Sequence, residues 1–287
     1  MDDNVTCEIL NYNDAATVIN MVAKIKDYQA LSYILIVDNG STDDSLEILS
    51  QKYAVDSKIL VVGSGKNGGY GYGNNFGIEY AAKKLHSKYV IVSNPDVFFE
   101  EKLIKIMKTT LKECKAALVS GTQKINGNIV NRRAWKVPRP LEWACLETKI
   151  GQHLGGHFYY PASYYKGDIS QVECVLGAMF MIDVDKFLEV GGYDEDMFLF
   201  CEETTLGFKL KEKGYKSYII NGYYYDHLHS TTINKNIPSV IKKLKILYSS
   251  EILFDKRYQN MTLLEEIGVK MIFKLSILKN KIKERLE

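Results

Sequence analysis

Four short apolar runs, each closed by a polar or acidic cluster, govern what this chain can fold into. Leu31 to Val37 is the clearest. It is a near-continuous apolar run, the pattern of a strand buried on both faces, and it stops at Asp38-Asn39-Gly40-Ser41. Val5 to Leu10, Lys58 to Val62 and Tyr89 to Ser93 are the other three. Between them lie segments of helical periodicity. These run from Ala15 to Ile25, from a cap at Ser41 or Thr42 to about Tyr53, and from Gly73 or Asn74 to near His86. A fourth follows from Glu100 to Cys114. Strand and helix alternating in this way argue for parallel βαβ units. Right-handed crossovers then bring successive strand ends to one edge of a sheet, where open α/β sheets build their ligand sites.

The second half is less regular. Ala116 to Val130 reads as two strands around a turn at Asn126-Gly127. Arg132 to Asp168 is aromatic and weakly periodic, and holds Trp135 and Trp143. A long segment of that kind is a candidate binding loop or lid. Strand returns over Gln171 to Ile182, broken by Gly177. Short helices are expected at Asp185 to Val190 and at Glu202 to Lys213, the latter stopped by Gly214. Tyr215 to Asn221 is the last expected strand. Beyond about Ser239 the chain is helical and basic, with Met271, Leu275, Leu278, Ile282 and Leu286 on one stripe.

Composition excludes several classes. The 287 residues carry a net charge of +2, which gives a nucleic-acid partner no support. Five scattered cysteines, odd in number and without close pairs, fit neither a zinc knuckle nor a disulfide framework. They fit reduced thiols in a cytoplasmic protein. The acidic N-terminus does not read as a signal peptide, and no apolar run approaches the roughly 20 residues of a spanning helix.

The chemistry-bearing residues sit at the ends of the apolar runs. A carboxylate at Asp38 can accept from a base N–H or a ribose hydroxyl, and it can equally start a turn. Gly-rich Lys66 to Gly77 lets backbone approach a phosphate, with Asn67, Asn74 and Asn75 offering amides. Asn94-Pro95-Asp96 places a carboxylate where a hard cation could clamp a diphosphate. Glu202 and Glu203 open a helix, where acids also compensate the helix dipole. Asp226-His227-Leu228-His229 follows the last strand. Gly63-Ser64-Gly65-Lys66-Asn67-Gly68 matches a dinucleotide fingerprint, but the strand before it is the third, and further glycines are expected to delay the helix.

Taken in order, these motifs resemble glycosyltransferase family 2, of the GT-A type. Val37-Asp38-Asn39-Gly40-Ser41-Thr42-Asp43 is similar to that family's V-D-N/D-x-S-x-D. Asn67 to Gly77 resembles its N-x-G-[FY]-x-x-G-N-N-x-G signature. Gly191-Gly192-Tyr193-Asp194-Glu195 with Glu202-Glu203 resembles G-G-[FY]-D-E…E-D, a glutamate standing where the family has aspartate. The resemblance covers roughly residues 4 to 230.

What the resemblance implies is specific. The fold would be GT-A: a Rossmann-like, mostly parallel α/β sheet flanked by helices, over residues 1–230, with a nucleotide-binding half to about residue 115 and an acceptor half beyond. Outside the resemblance, the basic amphipathic pattern of residues 231–287 reads as a helical extension, docked on the catalytic domain, on a second subunit of a homodimer, or peripherally on the inner face of the plasma membrane. Asn11, Asn13, Asp38, Asn67, Asn75, Asn94 and Asp96 would hold a UDP- or dTDP-linked sugar. Asp96 with His227 or His229 would hold Mn²⁺ or Mg²⁺. Glu203, or its neighbour Glu202, would be the general base of an inverting transfer. Trp135, Trp143, Asp194 and Glu195 would meet the acceptor. That acceptor would be a growing glycan or lipid-linked oligosaccharide in bacterial surface polysaccharide synthesis. Two rival readings stay open here: a nucleotide-sugar-binding protein without transfer activity, and an NAD-dependent oxidoreductase.

Overall fold

The computed structural model describes residues 3–148, 158–228 and 237–286, with Arg285 and Leu286 described by backbone alone. Its first half alternates as the sequence implies. Strand β1 (Val5–Asn11) leads to α1 (Ala15–Ile25), β2 (Tyr33–Asp38) to α2 (Ser45–Lys52), and β3 (Ile59–Gly63) to α3 (Tyr70–Leu85). β4 (Tyr89–Ser93), β5 (Val97–Phe99) and α4 (Glu101–Glu113) follow. β6 (Leu118–Ile125) and β7 (Asn128–Ile129) form the hairpin around Asn126-Gly127, both at positive φ. After β8 (Ala134–Trp135) and α5 (Pro140–Cys145) come β9 (Ile169–Val172), β10 (Cys174–Val175), β11 (Met179–Asp183) and α6 (Val184–Glu189). The chain closes with α7 (Glu202–Glu212), β12 (Ser217–His227), α8 (Val240–Tyr258) and α9 (Leu263–Leu286).

One sheet runs through both halves, in the order β3-β2-β1-β4-β11-β6-β12-β5, with β7 on β6 and β9 on β12. β1 to β4 are mutually parallel, and β6 and β12 share their direction. β11 is reversed and lies between β4 and β6. Period-two alternation splits each strand between two apolar layers. Ile34 and Ile36 of β2 face a core with α1 and α4, while Leu35 and Val37 face one with α3, α6 and α7. A separate cluster of Ala144, Tyr248, Val269 and Phe273 joins α5, α8 and α9. All five cysteines are free thiols, with Cys7, Cys174 and Cys201 buried.

Three sequence expectations are corrected. Helix α3 opens at Tyr70, directly after Gly69, and not at Gly73. Its glycines are contact points: a Cβ on Gly73 would lie 2.5 Å from Leu10 Cδ1, so α3 can sit against the ends of β1 and β2 only without one. Close packing outweighs the poor helix propensity of glycine. Helix α2 starts at Ser45, because the Ser41 hydroxyl is committed to Asp38 Oδ2 at 2.6 Å. Strand β12 continues past Asn221 to His227, through a shift in register between Ile219 and Tyr224 that realigns it with β6.

Candidate functional site

The carboxyl ends of β1, β2 and β4 open on one cavity of about 760 Å³. The reversed β11 brings its beginning, Gly177 and Ala178, to the same edge. β12 adds His227, and α7 adds Glu202 and Glu203.

On the β1–β2 side the wall is made by Tyr12, Asn39, Asn67, Gly69 and Tyr70. Asp38 lies behind it, fully buried. Its Oδ2 accepts from Asn11 Nδ2 at 2.8 Å and from the Ser41 hydroxyl, and its Oδ1 accepts from the Ser41 amide at 2.9 Å. Asn13, at φ +54°, accepts from the Thr42 amide at 2.8 Å. The structure therefore draws Asn11, Asn13 and Asp38 together as the lock on the turn after β2. It brings Asn67 to the wall, but none of those three. Asn39 was not singled out in the sequence. Its Nδ2 donates to the Gly69 carbonyl at 2.9 Å and ties β2 to the glycine loop. A polar residue next to the motif aspartate was its only signal.

Gly69 is itself required. It stands at φ +97°, and a Cβ there would lie 2.2 Å from the Phe198 carbonyl, to which the Tyr70 amide donates at 3.0 Å. Since α3 opens at once after Gly63 to Gly68, a delayed helix no longer speaks against a dinucleotide fingerprint. The strand's place does: β3 is the sheet edge, and the cavity lies over β1, β2 and β4.

Asn94, Pro95 and Asp96 line the cavity beyond β4. Pairing of His227 with Val97 across β12 and β5 sets His227 beside Asp96, Nε2 to Oδ1 at 3.2 Å. His229 lies outside the described residues. Among the described residues no three His, Cys, Asp or Glu side chains gather as a metal cage. One carboxylate and one imidazole at a cavity wall do fit a hard divalent ion that takes its remaining ligands from diphosphate oxygens and water.

Glu202 and Glu203 open α7 after two non-glycine residues in the left-handed region, Phe200 at φ +70° and Cys201 at φ +74°. Such strain persists only where surroundings over-determine it. Glu202 is 3% exposed, with Oε1 unpartnered. Burial pushes its carboxyl well above the usual range, and Glu203 next door adds to the effect. Glu203 keeps a partly exposed edge. Burial raises its carboxyl too, opposed by backbone hydrogen bonds at Glu203 itself and at Gly177. Contact with Gly177 is so close that a Cβ there would lie 2.0 Å from Glu203 Oε1.

The loop leading to these acids is held from two sides. Asn75 Oδ1 accepts from the Tyr193 amide at 2.9 Å, and its Nδ2 donates to the Tyr193 carbonyl and to Glu195 Oε1. From α8, Arg257 and Tyr258 bind Asp194, and the Ser250 hydroxyl donates to the Leu199 carbonyl at 2.8 Å. Asn75, Asp194 and Glu195, expected at nucleotide and acceptor, thus stand outside the cavity wall.

Aromatic side chains close the far end. Trp135 Nε1 donates to Thr204 Oγ1 at 3.0 Å, Trp143 comes from α5, and Phe158 and Tyr159 pack with ring centroids 4.6 Å apart. Arg132 lays its guanidinium over the Tyr159 ring. Lys242, Ile246 and Leu247 of α8 complete the wall, a contribution the sequence reading missed.

Comparison with known proteins agrees with this geometry. The sequence model of glycosyl transferase family 2 matches residues 8–167. Over 215 residues the chain is 25% identical to a Haloferax volcanii protein named low-salt glycan biosynthesis hexosyltransferase Agl10, covering 74% of this chain and 63% of that one. The chain thus spans less than two thirds of that relative's length. Among solved structures, GalNAc-T7 with UDP, GalNAc and Mn²⁺ superposes with a TM-score of 0.60 at 15% identity, over 78% of this chain and 43% of that one. TarS of S. aureus does so at 0.55 and 13%, over 94% and 42%. At such identities the structures speak for the fold alone, and that fold is the GT-A glycosyltransferase fold. With the family model matched over more than half of its length, the chain belongs to glycosyl transferase family 2.

Proposed function

We propose that this protein transfers one hexose or deoxyhexose, with inversion, from a UDP- or dTDP-linked donor to a glycan or lipid-linked acceptor in bacterial surface polysaccharide synthesis. The observation that carries the reading is that Glu203 and the Asp96–His227 pair line one cavity. The hexosyltransferase named for glycan biosynthesis among its relatives supports it.

The nucleotide would lie along Tyr12, Asn39 and Asn67, over the turn that Asp38, Asn11 and Asn13 hold rigid. Asp96 and His227 would hold Mn²⁺ or Mg²⁺, whose chemistry is to neutralise charge growing on the departing diphosphate. The acceptor would rest against Trp135 and Trp143. Glu203 accepts the proton of the acceptor hydroxyl as that oxygen bonds to the anomeric carbon. The bond to the diphosphate oxygen breaks on the opposite face of the sugar, which inverts the centre. Between the two acids, both at the cavity, Glu203 suits the base better, because it is partly exposed while Glu202 is enclosed.

The test is a thermal shift with UDP and dTDP, with and without Mn²⁺, followed by donor turnover. We expect a metal-dependent shift that weakens in Asp96→Ala. We expect Glu203→Gln to keep the shift and lose turnover. A shift with NADH and none with any nucleoside diphosphate would overturn the reading. Nucleotide binding without donor hydrolysis or transfer in the native protein, over a panel of donors and acceptors, would leave a binding protein instead.

A further inference from the structure

Helix α9 is apolar on two opposite faces, and the fold uses only one. Its inner face packs on α5 and α8: Val269, Phe273 and Ser276 are buried, and Phe273 stacks on Tyr248 with centroids 3.9 Å apart. The Tyr248 hydroxyl donates to Ser276 Oγ at 2.8 Å, and the Ser276 hydroxyl donates to Glu147 Oε2 at 2.8 Å, which fixes the helix about its own axis. Leu264, Ile267, Met271, Leu275, Leu278 and Ile282 point the other way, each between 50 and 82% exposed. Their three- and four-residue spacing keeps them in one stripe about 27 Å long. Ordinary monomer surfaces rarely leave so long a row uncovered.

The rims of the stripe are lysines. At 100° per residue, Lys270, Lys274 and Lys281 fall along one flank and Lys279 and Lys283 along the other. The acids of the first turn are both engaged, and one of them pairs with the rim's own Lys270. Glu265 caps Thr262, and Glu266 bridges Lys256 and Lys270. The stripe does not end at α9. Leu141 of α5, itself exposed, lies beside Gly268, its Cδ2 3.6 Å from where a Cβ at that position would stand. Two residues further along α5, Trp143 lines the cavity.

We propose that this outer face of α9, with Leu141, docks the protein on an anionic lipid bilayer. A central apolar stripe with lysines on both flanks matches a helix lying in the headgroup plane, leucines down and ammonium groups at the phosphates. A second copy matches it less well, since two such helices face to face would bring lysine rims together. No helix among the described residues is long and apolar enough to cross a membrane, so contact through this helix would be at the surface. Through α5, the docked face adjoins the aromatic end of the cavity. The inference stands on the helix alone and does not rest on the transferase reading.

Sedimentation of the full chain with vesicles tests it. One set is pure phosphatidylcholine, the other equal parts phosphatidylcholine and phosphatidylglycerol. The native protein should pellet with the anionic set at least tenfold more strongly, with salt weakening it, since each lysine near such a surface contributes roughly fivefold. Leu275→Glu with Leu278→Glu should lose at least tenfold, and so should Lys274→Glu with Lys279→Glu and Lys281→Glu. All five side chains are outside the packed core, so melting temperature and nucleotide binding should hold. Native protein left in the supernatant with anionic vesicles overturns the proposal, as does equal pelleting of the leucine variant. A dimer in solution that Leu275→Glu with Leu278→Glu splits, without vesicle binding, assigns the stripe to a second copy instead.

Discussion

Arg257 sets its Nη1 against both carboxylate oxygens of Asp194, at 2.8 and 2.7 Å, across 63 residues of sequence. Its Nη2 donates to Asp196 Oδ2 at 2.7 Å, and the Tyr258 hydroxyl donates to Asp194 Oδ2 at 2.7 Å. Burial alone would raise the Asp194 carboxyl. The hydrogen bonds from Tyr258 and Arg257 overcome it and hold that carboxyl below its ordinary value. One helix thus clamps the loop that delivers Glu202 and Glu203. Arg257→Ala leaves a buried carboxylate without its cation, and about 2 kcal/mol of stability should go with it, less than a fully buried pair because the arginine is partly exposed. Urea unfolding checks the loss. Turnover should fall more than this stability loss explains, measured well below the unfolding midpoint.

Gly177→Ala separates placement of the proposed base from stability. The new methyl would stand 2.0 Å from Glu203 Oε1, and a carboxylate at the end of a flexible side chain can swing aside. The melting temperature should stay within about 2 °C, because no core packing is lost. Turnover should fall about a hundredfold, with the nucleotide shift retained. Unchanged turnover would remove Glu203 from the proposed role.

The pH profile of turnover should carry the same signature. Only the ionised carboxylate accepts a proton, so activity should rise with pH through the Glu203 value. Burial puts that value above the ordinary glutamate range. The acidic limb of kcat should therefore lie above it. A limb at the pH of an exposed glutamate would assign the proton to another group.

Asp255 makes the opposite demand on the fold. Burial raises it to about 7, with Glu265 adding a smaller push. A carboxyl raised in the folded state binds its proton more tightly folded than unfolded. Its contribution is full below the unfolded value near 4 and is lost as pH climbs through about 7. Asp255→Asn should flatten the urea midpoint between those limits. Near pH 8 it should be more stable than the native chain by roughly 3 kcal/mol. A variant less stable than native at pH 8 would contradict the account.

Much of the fold was legible because buried parallel strands write themselves as apolar runs. Tyr89–Ser93 and Ala15–Ile25 have the limits that hydrophobic pattern alone implies. Legibility failed where contact between distant segments decided the outcome. Nothing local in the glycine-rich stretch says that Gly69 meets the Phe198 carbonyl and Gly73 meets Leu10, so the start of α3 read as loop. Exposed and buried positions alternate through Tyr223 to His227, but a shift in register hides the continuity of β12. The site divides the same way. Motif positions at strand ends, such as Asn94 to Asp96, reach the cavity wall. Lys242, Ile246 and Leu247 reach it from a helix whose periodicity says only that one face is apolar.

The reversed strand β11 has an outcome for engineering. It lies between β4 and β6, at the seam where the β3-β2-β1-β4 run of the front half meets the β6-β12 run of the back half, while β5 of the front half pairs with β12 at the far edge. A chimera joined after α4 would force a foreign strand to pair with β4 along its whole length and to present its first residues to Asn94. Grafting a new acceptor preference therefore has to respect the register of Met179 to Asp183 against Ser93 to Tyr89, and exchange only the segments that hang from it.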